Sequence, residues 1–400
     1  MRPLPILIAI VLVCQNRSFC IAQEKTSPNA LLIRSFEHGS ELSSVTLSPD
    51  SRFIISTSSD GTAKVWALSS NVPVSVLRHD KRILGATFNS DGSRILTWSI
   101  DKTAKLWSRH KETPIRIFSH DDRVWGARFD RDETKIWTWS HDRLLKLWDV
   151  KVAEPIATFR PDSEVEQVAF SHDGRWIATW ANLGDVKLFS VDSTVPIRAL
   201  EERLGTVNVA FNHDSTKILT SNDISAKLWN VERGGTYRVF QHSERWAAVS
   251  AKLNHDDTRV LTWSIDRLAI LWDVETQKAI ARFEHDSNVS DALFFKDGNR
   301  LLTRTYGDVA ILWNLDTNEL LATLKHEDRI FGATLNSDES KILTWSRDKS
   351  ALLWTTMGGA PIARFVHDDS VIGALFLEEE KAVLTWSQNG SLRLWSTQDR

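Results

Sequence analysis

Serine, histidine and aspartate, the residue types of a nucleophilic triad, recur together in this chain at fixed spacing. The sets are His38, Ser58 and Asp60; His79, Ser99 and Asp101; His120, Ser140 and Asp142; His242, Ser264 and Asp266; and His326, Ser346 and Asp348. A tryptophan closes each set: Trp66, Trp107, Trp148, Trp272 and Trp354. A hydrolytic triad needs one strained, pre-organised copy in a pocket. Five equivalent copies point instead to a structural relay, His to Ser and Asp with the indole N–H as donor, that satisfies buried polar groups. The chain is read as non-catalytic on this ground.

The remaining histidines offer little more chemistry. His172, His213 and His255 sit at equivalent turns, so repetition accounts for them without a metal site. Of the 12 histidines only His110 and His141 fall outside the repeated rows, and two unrelated imidazoles make no zinc site. No cofactor and no metal are expected.

Residues repeated in this way need a repeated scaffold. Trp occurs 18 times against two Tyr and two Met, as if one unit had been duplicated. A ruler of about 41 residues runs through Trp66, Trp107, Trp148, Phe189, Trp229, Trp272, Trp313, Trp354 and Trp395. A second runs from Asp50, Asp91 and Asp132 to Asp338 and Glu379, each in a polar turn. Nine units result, and such periods mark solenoids, propellers or arrays. Residues 83–118 show the content of one: apolar Ile83 to Phe88, a turn, alternating Arg94 to Ser99, a turn, then Thr103 to Trp107 and Ile115 to Phe118. Short β-branched and aromatic runs between turn residues predict a four-stranded antiparallel meander.

These residues resemble the WD-repeat β-propellers, whose repeat pairs a His before the first strand with a turn Asp and a closing Trp-Asp, as at Trp148-Asp149. The resemblance covers residues 33–396 and implies an all-β protein, a single closed propeller of about nine four-stranded blades. Nothing but five residues follows Trp395, so residues 33–36 are expected to supply the missing outer strand of the last blade. A seven-blade ring with two extra units is the alternative. Departures mark looser blades: Pro161, Ala181 and Leu183 replace His, Ser and Asp in the fourth unit, the fifth lacks the His, Gly307 displaces Asp308 in the seventh, and Asn389 replaces Asp in the ninth.

A further row, Trp98, Trp139, Trp180, Trp263, Trp345 and Trp386, is expected to fill space between blades rather than stack on carbohydrate. The repeat loses uniformity at the start of each innermost strand, where the aligned position reads Ser43, Leu84, Trp125, Glu166, Val207, Ser290, Phe331 and Ile372, with the sixth unit shifted by its extra residues. Buried positions would not tolerate that range. With the adjacent Arg82, Arg123, Glu164 and Arg329, this row is the candidate partner-binding surface, because aromatic and Arg side chains give interfaces contact area and a polar handle. Plugging of a wide channel by Trp125 and Phe331 is the bland reading. The resemblance implies a scaffold for a protein or peptide partner; an extracytoplasmic propeller enzyme or a carbohydrate-binding module using the channel is the alternative.

Charge narrows the partners. With 49 basic and 52 acidic residues there is no cationic excess for a phosphate backbone, so nucleic acid is not expected. Arg2 followed by an 11-residue uncharged stretch, Leu4 to Cys14, is too short to span a bilayer and reads as a signal peptide cleaved after Ala22. Residues 23–32 would be a linker and 33–400 the propeller. Val13 and Phe19 stand before the two cysteines where lipid attachment wants a small residue. Both cysteines, Cys14 and Cys20, lie in the leader, which fits a secreted or periplasmic protein without thiols. The mature chain is expected to be monomeric and without a transmembrane anchor.

Overall fold

The computed structural model describes residues 30–397 apart from 153, 162–163, 182–184, 201–204, 207, 245–246 and 378–380. The leader at 1–22 and the linker up to residue 29 lie outside the described residues.

Nine four-stranded antiparallel sheets follow one another along the chain. We number them as blades 1 to 9 by their innermost strands: Leu42–Leu47, Ile83–Phe88, Val124–Phe129, Gln167–Phe170, Asn208–Phe211, Ser250–Leu253, Val289–Phe294, Ile330–Leu335 and Val371–Phe376. Blade 9 takes its outer strand from the chain start, where Leu31–Glu37 pairs antiparallel with Ser391–Ser396. The closing strand thus begins two residues earlier than the sequence boundary at Ile33. Phe36, Leu384, Leu392 and Leu394 of blade 9 pack on Leu42, Ile54 and Trp66 of blade 1, which shuts the ring. All nine units belong to the single propeller, so the seven-blade alternative falls.

Period-two alternation explains why the second strands read as almost continuous apolar runs. On Arg94–Ser99, Ile95 packs with Ile55, Val65 and Leu77 of blade 1, while its neighbour Leu96 packs with Val124, Ala127 and Phe129 of blade 3. Both faces are interior, so both must be apolar or hydrogen-bonded. The outer strands have one solvated face and alternate accordingly: in Ala279–Glu284, Ala281 and Phe283 are buried between exposed neighbours. Arginines on these strands tie blades together. Arg116 donates to the Val150 carbonyl at 3.4 Å, Arg238 to Val274 at 3.1 Å and Arg34 to Leu68 at 3.1 Å, each on the following blade.

Candidate functional site

The recurring polar set is a buried relay, but its hydroxyl is not the one expected. In blade 2 the Trp107 indole donates to Thr97 Oγ1 at 2.8 Å, Thr97 lies 2.8 Å from His79 Nε2, and His79 Nδ1 lies 2.8 Å from Asp101. A carboxylate only accepts, so Nδ1 carries the proton and Nε2 receives the Thr97 hydrogen. The order is therefore Trp to Thr to His to Asp. Burial drives the His79 pKa down against the opposing pull of Asp101, in keeping with a neutral ring. The same chain joins Trp148, Thr138, His120 and Asp142, and again Trp354, Thr344, His326 and Asp348. In blade 6 it joins Trp272, Thr262, His242 and Asp266, the last contact at 3.3 Å. Blade 1 uses Ser56 in the place of Thr.

Ser99, Ser140 and Ser346 are thus corrected out of the relay. Each is two residues past it, on the same face of the strand, and its hydroxyl reaches a loop carbonyl: Ser99 to Arg82 at 2.8 Å, Ser140 to Asp122 at 3.1 Å, Ser346 to Asp328 at 2.9 Å. Ser264 likewise accepts the Asp266 amide. In blade 9, where Asn389 stands for Asp, Ser387 does meet His367 Nδ1, at 3.1 Å. Blade 4 lacks the network, as Pro161 and Phe189 require, and leaves the Thr179 hydroxyl buried without a partner.

The variable row has a structural cause that the sequence reading missed. Leu84, Trp125, Phe331 and Ile372 are each the unpaired residue of a β-bulge, since the ladders skip from Ile83 to Gly85, Val124 to Gly126, Ile330 to Gly332 and Val371 to Gly373. A bulge residue leaves the ladder and re-aims its side chain, so its identity is freed from pairing. The glycine that follows is required by packing. A Cβ at Gly85, Gly126, Gly332 or Gly373 would overlap the indole of Trp98, Trp139, Trp345 or Trp386 on the next strand. Those indoles also pack on the inter-blade clusters, where space filling had placed them. The triplet of β-branched residue, variable residue and glycine was the signal available in the sequence.

At this mouth two Arg–aromatic pairs stand out. The Arg123 guanidinium lies 5.3 Å from the Trp125 ring, and Arg329 lies 4.9 Å from Tyr306 and 5.8 Å from Phe331. Blades 3 and 8 are four steps apart one way and five the other, nearly opposite across a nine-membered ring. Leu84, Trp125, Phe331 and Ile372 are all half-buried. Arg82 reaches Ser43 of blade 1 at 3.2 Å. Glu164 is engaged by His141, whose two nitrogens lie 2.9 Å from Glu164 and 3.1 Å from Asp122, bridging blades 3 and 4. The Arg123 amide, then His141, holds the Asp122 carboxyl below its ordinary range. Glu166, half-buried on the same segment, donates its amide to the Trp180 carbonyl at 3.2 Å.

Among the described residues no three His, Asp or Glu side chains converge as a metal-binding group. Among the described residues there is no helix long and apolar enough to cross a membrane.

Nine four-stranded blades closed by a shared first and last strand define a β-propeller. Residues 31–67 and 71–108, blade 1 with its flanks and most of blade 2, match the family model WD40: WD domain, G-beta repeat. That match and the fold together support a WD-repeat β-propeller. The C-terminal WD40 domain of Sif2 superposes with a TM-score of 0.62 at 13% identity, covering 94% of this chain and 100% of that one. The computationally designed Ika8 protein gives 0.59 at 15% identity, covering 92% and 99%. Both share the fold. No curated protein matches the chain in sequence.

Proposed function

We propose that this protein is a non-catalytic scaffold whose channel mouth receives a protein or peptide segment, and that it works outside the cytoplasm. WD40 propellers commonly mediate protein interactions, which supports the class. The observation that carries the site is the row of unpaired bulge residues: half-buried and varied in type, they contribute little to their own ladders, and two of them bear Arg-stacked aromatics. Placement outside the cytoplasm is supported by the basic-then-apolar leader and by the absence of cysteine after residue 20.

Capture of partners from the secreted or periplasmic fraction by purified mature protein, followed by the same capture with Trp125→Ala and Arg123→Ala, tests the reading. Both variants should lose most of the captured partner while melting within a few degrees of the parent, since little core packing is removed. Early unfolding with normal capture by the folded fraction would make these residues channel plugs and move the site elsewhere. Mass spectrometry of the native protein checks export, with an N-terminus at Gln23 expected.

A further inference from the structure

The far ends of the innermost strands, opposite the mouth, carry turns whose side chains the scaffold reading does not use. In blades 4, 5 and 6 the equivalent turn residue is His172, His213 and His255. Repetition explained them one at a time; the fold places them side by side. The His172 and His213 ring centres are 5.8 Å apart and those of His213 and His255 5.7 Å apart, at tilts of 49° and 55°. All three line one shallow cavity of about 230 Å³ and are exposed. Among the described residues no protein group hydrogen-bonds their ring nitrogens.

We propose that this imidazole row binds a divalent transition-metal ion through two histidines at a time, with His213 common to both possible pairs. A metal about 2.1 Å from an imidazole nitrogen lies roughly 3.2 Å from the ring centre, so two rings on one ion stand at most about 6.4 Å apart. Both observed separations fall inside that limit, and exposed rings turn to meet an ion with little cost. The backbone beneath is already braced: the Ser215 hydroxyl accepts the Asp173 amide at 3.2 Å, and Asp257 accepts the His213 amide at 3.2 Å and the Asn212 side chain at 3.0 Å. Fixed turns reduce the ordering cost of chelation. An anion has less to hold it there, because Lys252, the lining cation, is committed to Asp291 at 3.3 Å and the Ala292 carbonyl at 2.9 Å. Imidazole pairs favour Cu²⁺, Ni²⁺ and Zn²⁺ over oxygen-seeking Mg²⁺ and Ca²⁺. Water would complete the coordination, as among the described residues no third His, Asp or Glu joins either pair.

Calorimetric titration of the tag-free mature chain with Ni²⁺ and with Zn²⁺ tests this, with thermal melting to confirm each variant is folded. One ion per chain is expected. His213→Ala should weaken binding at least tenfold, and His172→Ala or His255→Ala alone by less than threefold, because the other pair survives. The double His172→Ala/His255→Ala variant should match His213→Ala, and His110→Ala should change nothing. Binding that is indifferent to His213, equal losses from all three single variants, or an affinity no better for the parent than for the triple variant would overturn the proposal.

Discussion

The Glu133 carboxylate crosses the seam from blade 3 to blade 2, accepting the Asn89 side-chain amide at 2.9 Å and pairing with Arg94 at 3.1 Å. Its own backbone sits at φ 56°, a left-handed conformation that non-glycine residues avoid. The same turn position holds Ser215 at 63°, Asp257 at 59° and Glu339 at 57°, and each of these also reaches back to the preceding blade, Glu339 to the Lys296 amide. Blades 2, 4 and 7 place Gly92, Gly174 and Gly298 there. In blades 3, 5, 6 and 8 the left-handed residue thus delivers a stitch between blades, while Ser51, at the same position of blade 1, has φ 52° and bonds only the local Ser48 carbonyl.

Two substitutions separate the strain from the stitch. Glu133→Gly relieves the left-handed backbone and loses the carboxylate; Glu133→Ala loses the carboxylate and keeps the strain. Since bonds to charged groups are worth about 1.5–3 kcal/mol and the conformational relief is about 1 kcal/mol, both variants should be destabilised, Ala more than Gly. Denaturant midpoints give the order, and a Glu133→Gly variant more stable than the parent would show the stitch to be without value.

The relay makes opposite predictions at two equivalent threonines. Thr97→Val leaves the buried Trp107 N–H without an acceptor and His79 Nε2 without a donor, at about 1–3 kcal/mol for each orphaned group. Thr179→Val removes a hydroxyl that has no partner and should be neutral or stabilising by up to about 1 kcal/mol. Equilibrium unfolding of the two variants distinguishes them; equal losses would mean that the relay does not carry the stability assigned to it.

Acid should destabilise the ring before its carboxylates titrate. Burial, opposed by Asp60, lowers the His38 pKa from 6.5 to about 4, and burial together with Arg393 lowers that of His367 to about 3. Unfolding frees both rings to take a proton, so the unfolded state binds more protons below pH 6.5 and stability falls as pH drops from 6.5 towards 3. Asp348, whose burial is outweighed by His326 and Ser350, is held at about 2 and adds a further loss below pH 3.8. Melting temperatures from pH 7 to 3.5 should decline steadily, and His367→Gln should flatten the lower part of the slope. A flat profile would contradict the buried neutral rings.

Removing residues 24–36 takes away most of the closing strand, exposing the edge of Ser391–Ser396 and the apolar seat of Phe36. A large drop in melting temperature and self-association are the expected results. Unchanged melting of a monomeric product would show that the ring holds without its clasp.

The blade count and the closure were legible because each rests on a periodic signal: two independent rulers, and a last unit visibly short of a strand. The relay was legible in its His, Asp and Trp and misread in its hydroxyl. Thr97, Thr138, Thr262, Thr303, Thr344 and Thr385 recur as regularly as the Ser row, and on one strand face only distance distinguishes Thr97 from Ser99. The mouth row was found as variability, while its cause, a bulge beside a glycine under an indole, depends on strand pairing that no single strand displays. Contacts between units, such as the His141 bridge, the Arg116 tie and the neighbouring imidazoles, depend on blade-to-blade spacing, which a repeat alignment does not contain.

The strand Leu31–Glu37 leaves the ribosome before any blade exists, yet its partner Ser391–Ser396 is made only after every other blade strand; the Ser391 hydroxyl meets the Glu37 carboxylate across 354 positions. Contacts so distant in sequence are the slowest to form. The first strand must therefore wait, unpaired, through synthesis of every other blade. A chain that stops early presents a first strand with nowhere to dock, and two such chains could satisfy each other only by exchange. Closure thus depends on the arrival of Ser391–Ser396: until that strand is made, Leu31–Glu37 has no partner in its own chain.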